Sequence, residues 1–264
     1  MFTRTLCKCK VTPPRASTLA DDSTADELPT MTAAGLLDAL SLCARTGIRA
    51  SLPLQEMCTS GVVFISRMFA SSGSDASNRI HQERIGEIVR ETVIDDYFKR
   101  KKCKMSLKTI KTLLLSCSGI ARPTLQSVIE YCVSSGNEVK CGDARHLTLA
   151  LVESKDPSYV SAVQSRQTKK GLSAVITNIL KSDFKKRDRA VAAMQWAAKV
   201  LKLVIGNGTT TGGGDDKIFL DAMPAIVPFL DDPSSKMSRA AEQCAFWILN
   251  LHSQGEKSCP NRPS

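Results

Sequence analysis

Residues 171–251 read GLSAVITNILKSDFKKRDRAVAAMQWAAKVLKLVIGNGTTTGGGDDKIFLDAMPAIVPFLDDPSSKMSRAAEQCAFWILNL, and the stretch contains one segment twice. Shifted by 50 positions, Ile176 falls on Ile226, Leu180 on Leu230, Ser182 on Asp232, Arg189 on Arg239, Ala190 on Ala240, Trp196 on Phe246 and Leu201 on Leu251. The matching positions are apolar anchors, a helix cap, a basic residue and an aromatic. Residues 171–181 supply a first helix, and Ser182 or Asp183 can cap a second that buries Val191, Met194, Ala198 and Leu201. In the second copy Asp232 suits an N-cap and Pro233 the first helical position, ahead of a face formed by Ala241, Cys244, Ile248 and Leu251. Both faces step by three and four residues, the spacing of one side of a helix. A repeat of helical hairpins predicts an all-α solenoid that works by presenting a surface.

The surrounding chain agrees with that class. At 264 residues with 42% hydrophobic and 23% charged residues it has the composition of a folded protein rather than a disordered one. Aromatics at 5% disfavour an all-β fold. No apolar run approaches the roughly 18 residues of a membrane span. A formal charge of +10 favours acidic partners, either a protein surface or RNA. Ten cysteines have no C-x-x-C pair and no partnering histidines, so they read as reduced, buried thiols; no metal and no cofactor are expected.

In chain order, residues 1–20 hold Arg4, Lys8, Lys10 and Arg15 and no acid, a pattern similar to a mitochondrial transit peptide and equally that of a basic tail; cytoplasmic residence is the alternative. Residues 1–30 form this segment and a linker, 31–165 a region of helical hairpins, 166–254 the repeat pair with a Gly-rich insertion at 206–214, and 255–264 a tail expected to be disordered. Predicted helices carry Leu36, Leu37, Leu40 and Cys43; then Leu54, Met57, Val62, Ile65 and Phe69; then Ile85, Ile88, Val89 and Val93 opposite a wet face of Glu83, Glu87 and Glu91. A further pair holds Leu107, Ile110 and Leu114, then Leu125, Val128, Ile129 and Cys132. A faint echo at a shift of 74 pairs Leu40 with Leu114, Cys43 with Cys117 and Cys58 with Cys132.

Met223–Leu230, Asp231-Asp-Pro, Arg239-Ala-Ala and Phe246-Trp-Ile-Leu-Asn-Leu251 together resemble an armadillo repeat, with Phe246 at the aromatic position, Asn250 at the Asn and Leu251 at the closing Leu. The Pro224, Asp232 and Arg239 combination is also similar to the HEAT repeat, with one extra residue between Pro and Arg. The Lys181–Arg187 turn resembles the loop of tubulin-binding HEAT domains. The resemblance implies a non-enzymatic scaffold. Peptide-binding armadillo proteins carry an Asn ladder, and Val200 stands where the first copy would need Asn, so extended-peptide capture is not implied.

Two cationic clusters are the candidate contacts: Lys99, Arg100, Lys101, Lys102, Lys104 and Lys108 at the entry of a helix, and Lys181, Lys185, Lys186, Arg187 and Arg189 at the turn between repeat helices. Phosphates or carboxylates need only positive charge and reach from such residues. Gly206–Asp215 lacks the G-K-[ST] of a phosphate loop and follows a helix, which makes it a flexible insertion. His81, His146 and His252 share no spacing, and no Ser or Cys sits in a nucleophile elbow, so neither an enzyme nor a small-molecule substrate is expected. The expected function is a scaffold whose basic face binds an acidic protein or assembly; the alternative is a mitochondrial RNA- or ribosome-associated helical-repeat protein.

Overall fold

The computed structural model describes residues 32–70, 76–99, 103–133, 138–182, 187–206 and 216–257. All regular structure among them is helical, without a strand. The chain divides into two compact units, Met1–Ile120 and Ala121–Ser264.

The first unit is built on a hairpin of α1 (Ala33–Gly47) and α2 (Leu52–Ala70). Thr32 starts α1 as N-cap, its Oγ1 accepting the Gly35 N–H at 3.2 Å. Leu36, Leu40, Ala44 and Ile48 form its buried face. Two glycines let the helices approach closely: a Cβ on Gly47 would stand 2.8 Å from Cys58 Cβ, and one on Gly61 3.1 Å from Cys43 Sγ. The buried face of α2 is Gln55, Cys58, Val62, Ile65 and Phe69. Leu54 and Met57, expected inward, are exposed, because this stripe runs through 55, 58 and 62 and leaves them out of phase. Against the pair packs a longer element made of α3 (Ala76–Val89), a π-helical turn (Arg90–Ile94) and α4 (Asp95–Lys99). Ile85, Ile88, Val89 and Val93 face inward as their spacing predicts. The unit closes with α5 (Leu107–Ser116), capped by Ser106, and a 3-10 turn Ser118–Ile120 lying on α2 and α3.

The second unit is three hairpins and one short helix. The first hairpin is α6 (Ala121–Glu130) with α7 (Glu138–Val152), followed by α8 (Pro157–Gln164). The second is α9 (Arg166–Ser182) with α10 (Arg187–Gly206). The third begins with a broken helix: a 3-10 segment Asp216–Ala222, α11 (Met223–Ile226) and a second 3-10 turn Val227–Phe229. It ends with α12 (Ser235–Lys257). Successive first helices touch (α6 with α9, α9 with the 216–226 segments), and so do successive second helices (α7 with α10, α10 with α12).

The sequence repeat is thus a packing repeat, with corrections. In the first helices the 50-residue shift holds: Leu172, Val175 and Ile176 are buried, as are Ala222, Ala225 and Ile226. In the second helices burial matches one residue later. Ala190, Ala193, Met194 and Ala197 correspond to Ala241, Cys244, Ala245 and Ile248, and Trp196 to Trp247. Phe246, the expected counterpart of Trp196 in packing between repeats, is 58% exposed. The slip falls in the turn between the helices. There Asp232 Oδ1 accepts the Ser234 N–H at 2.8 Å and the Ser234 carbonyl opens α12, so the helix starts later than an Asp232 cap at Pro233 would give. Residues 255–257, expected in a disordered tail, belong to α12, which runs to Lys257, and residues 258–264 lie outside the described residues. A third copy lies outside the 50-residue register: Ala121, Leu125, Val128, Ile129 and Cys132 match Thr168, Leu172, Val175, Ile176 and Ile179, all buried, at a shift of 47.

Candidate functional site: cationic surfaces and a charged pocket

Of the first cationic cluster the structure places Lys99, Lys104 and Lys108. Lys99 ends α4 and is exposed, its Nζ 3.0 Å from Asp95 Oδ2 one turn back. Arg100, Lys101 and Lys102 lie outside the described residues. Lys104 is exposed, and its backbone N–H donates to the Ile48 carbonyl at 3.0 Å, which sets it beside the end of α1. Lys108 is exposed in the first turn of α5.

That tether brings the cluster next to residues the sequence did not single out. Arg45, in the last turn of α1, and Arg49, just beyond it, form one wall of an open pocket of about 350 Å³; Glu91, Thr92 and Asp96 form the other. Arg49 Nη2 stands 3.5 Å from Asp96 Oδ2, with the arginine side chain 59% exposed and the aspartate 8%. The Thr92 hydroxyl donates to the Ile88 carbonyl and so turns only lone pairs outward. Five residues are about 1.4 turns of α-helix, which would set Glu91 and Asp96 on widely separated faces. The π-helical turn, confirmed by the Asp95 N–H bonding to the Arg90 carbonyl, wraps five residues into about one turn and aligns them. No sequence signal marks that turn, and Glu91 alone reads as part of a wet face.

The second cluster is described only in part. Lys181 is exposed in the last turn of α9, Lys185 and Lys186 lie outside the described residues, the Arg187 side chain likewise, and Arg189 is half-buried on α10. Along α9, Lys181 shares one exposed stripe with Gln167, Lys170, Ala174 and Asn178. Arg122 Nη2 donates to Gln167 Oε1 at 3.2 Å, which adds a third cation to the side of that stripe. The described cations of this unit therefore follow a helix, α9, and its flank.

The cysteines resolved here are free thiols. Burial pushes Cys117 up to about 11 and Cys132 and Cys244 up to about 12, with Thr148 and Arg145 pulling slightly the other way at Cys132. Thiols so raised stay protonated at neutral pH and are poor nucleophiles. His81 packs against Phe69 in a tilted arrangement, ring centroids 5.2 Å apart. Among the described residues no group of three or more His, Cys, Asp or Glu is placed to hold a metal. Nor is any helix among them long and apolar enough to cross a membrane. No family model, curated protein or solved structure matches the chain.

Proposed function

We propose that the chain is a non-enzymatic helical-repeat scaffold, its second unit a short armadillo/HEAT-like α-solenoid whose basic surface holds an acidic partner protein or larger assembly. The observation that carries this reading is a contact between adjacent repeats: Cys244 Sγ lies 3.7 Å from the Met194 carbonyl and 3.8 Å from Met194 Sδ, 50 residues away. Stacking of like helix on like helix is what a solenoid requires, because each hairpin covers its neighbour's apolar face. Lys170, Lys181 and Arg122 supply positive charge along the exposed side of the stack, and Lys99, Lys104 and Lys108 supply it in the first unit. Raised thiol pKa values favour a packing role for the cysteines over a catalytic one.

The experiment that separates this reading from a mitochondrial RNA- or ribosome-associated role is binding of the full chain to unstructured single-stranded RNA across a salt series. The scaffold reading expects affinity no tighter than about 1 μM at physiological salt, the range of non-specific electrostatic binding. Nanomolar binding there, with a salt slope that flattens when Lys99, Lys104 and Lys108 are changed to Gln, would overturn it in favour of RNA. N-terminal sequencing of the cellular protein tests the location: an intact Met1 weakens the mitochondrial reading sharply, and cleavage near residue 20 supports it.

A further inference from the structure

The pocket at the end of α1 carries a function the scaffold reading does not use. Its two walls have opposite charge: Arg45 and Arg49 on one, Glu91 and Asp96 on the other. A helix C-terminus attracts cations through its dipole, which alone would account for Arg45 and Arg49. It does not account for two carboxylates turned to face them by a π-helical turn. Arg49 and Asp96 already pair across the pocket at 3.5 Å, and Glu91 also acts electrostatically on Arg84, which leaves Arg45 as the cation facing the acids from the rim. The Arg45 and Glu91 side chains are exposed at the rim, while Asp96 and Thr92 are buried at the base. The volume of about 350 Å³ falls in the range of small-molecule sites, and every lining side chain among the described residues is polar.

A simple anion would meet the arginines but lie against Glu91 and Asp96, and a simple cation would meet the reverse. A ligand with both charges satisfies both walls. We propose that this pocket binds a small zwitterion, a free α-amino acid, with its carboxylate between Arg45 and Arg49 and its ammonium group donating to Glu91 and Asp96. A guanidinium fork matches a carboxylate in a two-bond geometry, which fixes the ligand's orientation. The Thr92 oxygen, with its own proton committed to Ile88, adds an acceptor on the ammonium side.

The test is calorimetric titration of the full chain with L-alanine, L-glutamate and L-lysine, alongside acetate and methylammonium as single-charge controls. At least one amino acid is expected to saturate the site and to bind tenfold or more tightly than either control. Arg45→Gln and Glu91→Gln should each weaken that binding about tenfold without moving the unfolding midpoint, since both side chains are exposed. Acetate binding as tightly as the amino acids would overturn the proposal and leave a plain anion site. No saturation by any of the three amino acids, or binding indifferent to both substitutions, would overturn it as well. None of these outcomes bears on the scaffold reading, which rests on the other unit.

Discussion

The hairpin α9–α10 and the hairpin that follows it carry matching sequence and solve the same packing problem differently. In the earlier one the first helix runs unbroken through Arg166–Ser182, and Trp196 of the second is buried, its Nε1 donating to the Arg145 carbonyl at 2.8 Å. In the later one Pro224 and Pro228 each open a short segment, so the first helix is split into 3-10 and α pieces. Proline lacks the N–H that an unbroken helix would use and obstructs the preceding turn. Its second helix turns Phe246 outward and keeps Trp247 half-buried against it, ring centroids 5.4 Å apart. The difference teaches that residue identity follows a shift of 50 while burial in the second helices follows 51. The extra residue is absorbed in the turn before Ser235.

Substitutions along the two second helices sharpen that contrast. Trp196→Ala should have the largest effect, a loss of about 3–5 kcal/mol, from emptying a buried aromatic site and losing the hydrogen bond to the Arg145 carbonyl. A urea unfolding curve reads it as a lower midpoint with an unchanged slope. Trp247→Ala should cost less, about 1–2 kcal/mol, because the ring is half-exposed. A third test uses Cys244, at the junction of the two hairpins. Its folded pKa is raised above the ordinary 9.0 to about 12, so the unfolded thiol ionises first as pH climbs. The stability it provides is whole below pH 9 and is lost progressively between pH 9 and about 12. Cys244→Ala should flatten that part of a stability–pH curve; an unchanged slope would mean the thiol is not buried at the junction. Phe246→Ser should have the smallest effect, within about 0.5 kcal/mol. If it matched Trp196→Ala, the 50-residue register would extend through both helices and the one-residue slip would be wrong.

Helical class was legible because apolar spacing is a property of the chain itself. Leu36, Leu40, Ile85, Val89, Met194 and Cys244 all take the inward positions their periodicity assigns. The phase of α2 was not legible: Leu54 and Met57 look like core residues until Gly47 and Gly61 set which side meets α1. The 74-residue echo has no structural counterpart at Cys117, which caps α5 from outside while Cys43 lies within α1. The match of α6 to α9 is carried by identical residues, Leu125 on Leu172, Val128 on Val175 and Ile129 on Ile176, but at a shift of 47, which places it outside the 50-residue register. The charged pocket was invisible for a different reason. Arg45 and Arg49 come from one element, Glu91 and Asp96 from another more than 40 positions later, and a π-helical turn joins the acids. Of the two cationic clusters, Lys99, Lys104 and Lys181 are exposed as expected, and the tether of Lys104 to Ile48 was not foreseeable.

Everything said of the second unit depends on adjacent hairpins packing through their second helices. A double-mutant cycle on Met194→Ala and Cys244→Ala, followed by urea unfolding of the full chain, measures that contact directly. Stacked repeats predict a coupling energy of about 0.5–3 kcal/mol between these residues 50 positions apart. Additivity within about 0.3 kcal/mol would contradict it and leave the duplicated sequence without a shared interface.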